Sequence, residues 1–108
     1  MTYLIETTLT FDKWLASLKD KQAVGAIALR IARAEIGNLG DIKPVGAGVS
    51  EMRIFTGKGY RVYFAILKNT IVLLLNGGNK SSKKQQQEDI TQAKQLLSEL
   101  ENHDDQHK

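Results

Sequence analysis

The sequence predicts an α+β domain: an N-terminal strand and an αα-hairpin packed on an antiparallel β-meander, plus a C-terminal helix. Three observations predict it. Between Ile42 and Lys80, runs rich in β-branched and aromatic residues alternate with the turn residues Gly46-Ala47-Gly48, Gly57-Lys58-Gly59 and Lys68-Asn69. Ahead of that stretch, apolar residues recur at helical spacing in two blocks, and after it in one. The chain has 108 residues, enough for one domain with one modest core. Residues 1–100 form that domain, and 101–108 are a polar tail expected to be disordered.

Tyr3 to Thr7 reads as the first strand. Phe11, Trp14, Leu15 and Leu18 then share one face of a short helix, with Thr10 as its expected N-cap. Asp20 is placed to cap a second helix that runs to about Ile36 and ends at Gly37-Asn38. Its apolar stripe is read as Val24, Ile27, Ala28 and Ile31. Alternation in the meander sends Met52, Ile54, Val62 and Phe64 toward the helices. Glu51, Arg53, Arg61 and Tyr63 then fall on the other face, which is expected to be open. Ile71 to Leu75 is apolar at both parities, as in a central strand covered on both sides. The last helix carries Ile90, Ala93, Leu96, Leu97 and Leu100 on its inner face.

Composition excludes several classes of function. There is no cysteine, so disulfides and thiolate metal sites are ruled out. No apolar run approaches the roughly 20 residues of a membrane span, and the first residues do not resemble a signal peptide. A cytoplasmic protein with no membrane association is the expectation. The only histidines, His103 and His107, lie in the polar tail; neither a metal nor a cofactor is expected. Gly77-Gly78-Asn79-Lys80-Ser81 lacks the glycines of a phosphate-binding loop.

The net charge of +3 is unevenly spread. Residues 41–84 hold eight basic and two acidic groups, while residues 85–108 hold two basic and six acidic. A local positive field of this kind attracts polyanions. The cations and tyrosines threaded through the meander are Lys43, Arg53, Lys58, Tyr60, Arg61, Tyr63 and Lys80, with Lys83 and Lys84 at its exit. Such a set suits a phosphodiester. RNA carries its own nucleophile, the 2′-hydroxyl, so cleavage needs a base, positive charge on the phosphorane and an acid. Arginine supplies bidentate contacts to phosphate oxygens. On the residues alone, the same set also reads as a neutralising surface with no chemistry.

The pattern Ile42-Lys43-Pro44, Ser50-Glu51-Met52-Arg53-Ile54, Gly59-Tyr60-Arg61-Val62-Tyr63-Phe64 and Leu74-Leu75-Asn76-Gly77-Gly78-Asn79-Lys80 is followed by Gln87-Glu88-Asp89-Ile90 and Ala93. With the Phe11-x-x-Trp14-Leu15 start, it resembles the phage-derived, HigB-like addiction module killer branch of the RelE/ParE toxin superfamily over residues 3–100. The resemblance implies a RelE-like fold and a toxin neutralised by a cognate antitoxin. RelE-like members act as ribosome-dependent, metal-independent mRNA endonucleases, whereas ParE-like members inhibit DNA gyrase. Arg61 matches the phosphate-stabilising arginine of the nuclease branch, and Arg53 a second cationic position. Lys80 falls where related nucleases place a histidine, arginine or tyrosine for proton transfer.

The expected function is therefore an mRNA interferase that blocks translation. Arg61, Arg53 and Lys80 are its catalytic residues, and Glu51 is a possible base or orienting group. Lys43, Lys58, Tyr60, Tyr63, Lys83 and Lys84 are its substrate-binding residues, a tyrosine stacking on a base. Its partners would be an antitoxin with an acidic segment, the ribosome and mRNA, with DNA reached only through the toxin–antitoxin complex. The alternatives are a ParE-like gyrase inhibitor without catalysis and a non-catalytic RNA-binding regulator. With Arg61 on an open face, Arg61→Ala is expected to remove activity and leave stability intact.

Overall fold

The structure, a computed structural model, describes residues 2–106, with side chains described as far as Asn102. The elements run β1 (Leu4–Thr7), α1 (Leu9–Ser17), α2 (Lys21–Glu35), β2 (Ile42–Gly46), β3 (Val49–Ile54), β4 (Tyr60–Leu67), β5 (Ile71–Asn79) and α3 (Lys83–Gln106). They form one five-stranded sheet in the order β1-β5-β4-β3-β2. β2 to β5 are an antiparallel meander, and β1 adds to β5 in parallel. A parallel neighbour requires a long crossover, and here the helical hairpin and the rest of the meander supply it.

The hairpin helices start where short polar side chains satisfy their first amides. The α1 cap is Thr8, not Thr10: its Oγ1 accepts from the Phe11 amide at 3.0 Å. Thr8 Oγ1 also donates to the Leu75 carbonyl, so the cap pins the helix start to β5. Asp20 caps α2 as expected, accepting from the amides of Gln22 and Ala23 at 3.0 and 3.2 Å. Asp20→Ala should therefore lower stability by about 1 kcal/mol. An unchanged urea midpoint would mean that water replaces the cap without loss. Gly37 ends the helix in the left-handed region, at φ 96°.

The hairpin covers one face of the sheet. Phe11, Ala23, Ile27 and Ala34 pack there on Met52, Ile54, Tyr60, Val62, Phe64, Val72 and Leu74. The α2 stripe is rotated from the expected one. Ala23 and Ala34 are buried, while Ala28 points to solvent. Ile27 and Ile31 belong to both stripes, so periodicity alone does not fix the rotation.

The opposite face is not open. α3 lies on it, with Ile90, Ala93 and Leu97 packed against Val49, Tyr63, Ala65, Leu73 and Leu75. Val49 and Ala65 mark this face as apolar in β3 and β4 as well as in β5. Ser82 starts α3, its Oγ accepting from the Gln85 amide at 3.1 Å. The helix continues past Leu100 to Gln106, through most of the stretch expected to be a disordered tail. The side chains of His103 and His107 lie outside the described residues.

An irregularity in the β4–β5 ladder re-aims the last side chains of β5. The register shifts between Tyr63 and Phe64, so that Tyr63 opposes Asn76 and Phe64 opposes Leu74. Leu75 is the extra residue of a bulge. Leu75 packs in the α3 core, and the next side chain, Asn76, also reaches α3. The bulge thus reverses alternation for the end of β5. Gly77 faces Trp14 of the hairpin and Gly78 faces Asp89 of α3.

Candidate nucleic-acid interface

Cross-strand register assembles the cationic residues into rows. Arg53 of β3 stands directly opposite Arg61 of β4, and Gly78 of β5 stands opposite Arg61 on the other side. The adjoining row runs Lys43, Glu51, Tyr63 and Asn76 across β2 to β5. Residues two apart in a strand share a face, so both rows lie on the α3 side.

Two like charges opposed across a ladder repel each other. Here each arginine has its own carboxylate. Arg53 Nη2 lies 2.9 Å from Asp41 Oδ1. Arg61 Nε lies 3.5 Å from Oε2 of Glu51, whose residue is only 2% exposed. That separation makes an ion pair without a well-aligned hydrogen bond, and Gln86 Nε2 shares the same oxygen at 3.4 Å. Arg30 of α2 supports the Arg53 partner from behind. Its guanidinium donates to the carbonyls of Arg53, Leu39 and Asp41, stitching the segment before β2 onto β3. Burial lowers the Arg30 pKa, Asp41 raises it and Arg33 lowers it further.

Lys80 follows β5. Its amide donates to the Gly59 carbonyl at 3.1 Å, and its ammonium sits 4.0 Å from the Phe55 ring centroid. It is thus anchored on the β3–β4 turn by a cation–π contact. Lys58, on the same turn, is set apart from the arginine rows: it is exposed and borders a hollow with Ser17, Lys19 and Asp20. Lys43, Lys83 and Lys84 are exposed, the last two in the first turn of α3.

Beside the arginine rows, Trp14, Gly77, Gly78, Asn79, Gln85 and Asp89 border a cleft of about 330 Å³. Burial raises the pKa of the Asp89 carboxyl. The Gln85 hydrogen bond and the Arg61 charge work against this, and Glu88 adds to it. Among the described residues, no three histidine, aspartate or glutamate side chains gather as a metal site would require, and no helix is long and apolar enough to cross a membrane.

The phage derived protein Gp49-like family (DUF891) matches residues 13–98. The chain belongs to this family. An uncharacterized protein of Haemophilus influenzae is 51% identical over 100 residues, which cover 93% of this chain and 98% of that protein. Among solved structures, a double-arginine variant of the Escherichia coli toxin RelE in the free state superposes with a TM-score of 0.64 at 13% identity, over 78% of this chain and 90% of that one. The intact Escherichia coli RelBE toxin–antitoxin complex matches at 0.59 and 10%, over 74% and 99%. The RelBE2 toxin–antitoxin complex of Mycobacterium tuberculosis matches at 0.53 and 22%, over 74% and 100%. The Gp49-like chain thus has a RelE-like fold.

Two expected substrate contacts of this Gp49-like protein are corrected by burial. Tyr60 is 2% exposed and Tyr63 is 1% exposed, so neither ring offers a face for a base. Tyr60 meets the Trp14 ring edge-on at 6.4 Å. Tyr63 lies beneath α3, on the face expected to be open. Burial, reinforced by Glu51 and Asp89 and opposed by Arg61, raises its hydroxyl pKa far above neutrality. It therefore stays protonated and cannot serve as a base.

Sequence reasoning missed Arg30, Asp41, Asn76, Gln85 and Asp89. The acidic residues carried one available signal. They are the carboxylates whose charge offsets the basic meander, and such groups come together when the sheet closes.

Proposed function

We propose that this protein is the toxin of a type II toxin–antitoxin pair and that it cleaves ribosome-bound mRNA without a metal. The observation that carries the reading is the opposed pair Arg53 and Arg61 beside the bare backbone of Gly78, set in a RelE-like fold. Two guanidiniums on neighbouring strands can grip one phosphate and hold the charge that develops during attack by the 2′-hydroxyl. Lys80 transfers a proton at the rim, and Glu51 orients Arg61 through their ion pair. Lys43, Lys58, Lys83 and Lys84 hold RNA or rRNA backbone. The cognate antitoxin covers this basic surface with an acidic segment, as charge complementarity favours. The cytoplasm is the compartment of these partners.

One observation favours a second reading. Arg53 and Arg61 are each matched by a carboxylate, as members of a structural network are. A gyrase inhibitor or a non-catalytic RNA-binding regulator could be built that way. Primer extension on cellular mRNA after brief induction separates them. Cuts within translated codons support the nuclease. DNA damage signalling with intact mRNA supports the gyrase reading, and neither effect supports the regulator.

Lys80→Arg tests the chemistry. Arginine keeps the charge and the contact with an aromatic ring but does not give up a proton near neutrality. Cleavage should fall by about a hundredfold, the scale of a positioned acid or base, while ribosome binding is kept. Parental cleavage by Lys80→Arg would leave Lys80 as a phosphate contact only.

A further inference from the structure

We infer that the cleft between α1 and the start of α3 takes a single guanine base, with Asp89 reading its Watson–Crick edge beside Trp14. The inference rests on the reading of the substrate as RNA and adds to it a site for one base.

The cleft is built for close approach. Its floor is the Gly77-Gly78 backbone, which carries no side chain. The bulge in β5 turns Gly77 toward Trp14 and Gly78 toward Asp89, and a Cβ at either position would run into that neighbour. At about 330 Å³ the space is at the small end of ligand pockets, which run roughly 300–1,000 Å³. It suits one base. A single-stranded base can be splayed from its neighbours, set against an aromatic side chain and read on its Watson–Crick edge. Trp14, partly exposed, supplies the aromatic wall.

The Asp89 carboxyl is not needed to dock its own helix. Asn76 Nδ2 from β5 does that, donating to the Asp89 backbone carbonyl at 3.1 Å and to Gln92 Oε1 at 2.9 Å. The carboxyl instead meets Gln85 of the same helix, whose Nε2 donates to Oδ1 at 3.1 Å. Burial disfavours its charged form, so the carboxylate gains from N–H donors placed against it. An ionised carboxylate only accepts. Among the four RNA bases, guanine alone presents two adjacent donors on its Watson–Crick edge, N1–H and N2–H. Adenine, cytosine and uracil each interrupt that pair with an acceptor. Asn79, on the rim, carries an amide for the guanine O6.

The chain has a single tryptophan, so the indole N–H of Trp14 gives one isolated signal in a ¹⁵N-labelled sample. Titration of the full chain with GMP should move that signal and the Gly77 and Gly78 amides along saturable curves. Binding should be at least about tenfold tighter than for AMP, CMP or UMP, within the range of one bidentate contact. Asp89→Asn should erase the preference while the rest of the amide spectrum and the melting temperature stay in place. The absence of saturable shifts at these residues, equal curves for the four nucleotides, or a preference that survives Asp89→Asn would each overturn the inference. The readout needs no cleavage. Cuts in cellular mRNA without guanine selectivity would sink this site alone, and guanine selectivity with intact mRNA would sink the nuclease reading alone.

Discussion

Arg61→Ala is expected to abolish toxicity and also to lower stability by about 3 kcal/mol, a melting shift of roughly 10–20 °C for a domain of this size. The second effect overturns the expectation drawn from strand parity, that the substitution would leave the fold untouched. Glu51 lies opposite Tyr63 beneath α3 and is 2% exposed. Its cationic partner is Arg61, whose side chain is 17% exposed. Removal of the guanidinium strands the carboxylate with only the long contact from Gln86. Breaking a buried pair costs about 3–5 kcal/mol, and the 3.5 Å separation argues for the lower end of that range. Glu51→Gln added to Arg61→Ala should recover most of the stability, because the uncompensated charge is gone. It should not recover toxicity, because the positive charge on the phosphate is still missing. Thermal melts of the single and double variants, read beside growth arrest on induction, check both parts. A single variant that melts like the parent would show that the pair contributes nothing. A double variant that regains toxicity would remove Arg61 from the site.

Gly77→Ala should cost about 3 kcal/mol, near the upper end for overpacking a core. A Cβ there would lie within 2.6 Å of Cε3 and Cη2 of the Trp14 ring. The ring cannot easily move aside. It is flanked by Phe11, at 5.8 Å between centroids, and by Tyr60, at 6.4 Å. Phe11 and Tyr60 are themselves 1% and 2% exposed. Gly78→Ala makes an instructive contrast. The new methyl would meet the tip of Asp89, which can swing toward solvent, so its cost should stay below about 1 kcal/mol. Urea unfolding of the two variants should separate them clearly. Equal midpoints would mean that α1 shifts to release Trp14 and that the hairpin is not rigidly seated.

Much of the fold was legible because local chemistry dictates it. Val62 and Phe64 alternate with Arg61 and Tyr63, and a strand cannot put neighbours on the same face without a bulge. Asp20 had a helix to cap, and Gly37 had the left-handed turn to supply. The cap of α1 was misplaced by two residues because Thr8 and Thr10 are equivalent in propensity. What separates them is the bond from Thr8 to the Leu75 carbonyl, a contact 67 residues away in the chain. The shared face of Arg53 and Arg61 was also legible, since parity is a property of each strand, whereas the register that sets them opposite each other was not. Nor were their carboxylate partners. Asp41 precedes β2, and alternation reads Glu51 as facing solvent; only the closed structure brings Asp41 to Arg53 and buries Glu51 beside Arg61.

By itself, then, the sequence determined the order and type of the elements, the hairpin-facing side of β3 and β4 and the placement of Arg53 and Arg61 on one side of the sheet. These arise from periodicity, turn chemistry and alternation, which act over a few residues. Tertiary structure decided that this side is covered. α3 lies across it, so Tyr63 and Glu51 are core residues and not parts of an open surface. It also decided that a bulge at Leu75 turns Gly78 toward Asp89 and makes a cleft beside Trp14. Alternation tells which residues share a face. What covers that face is chosen by the burial of apolar area between segments distant in the chain, and no local pattern records that choice.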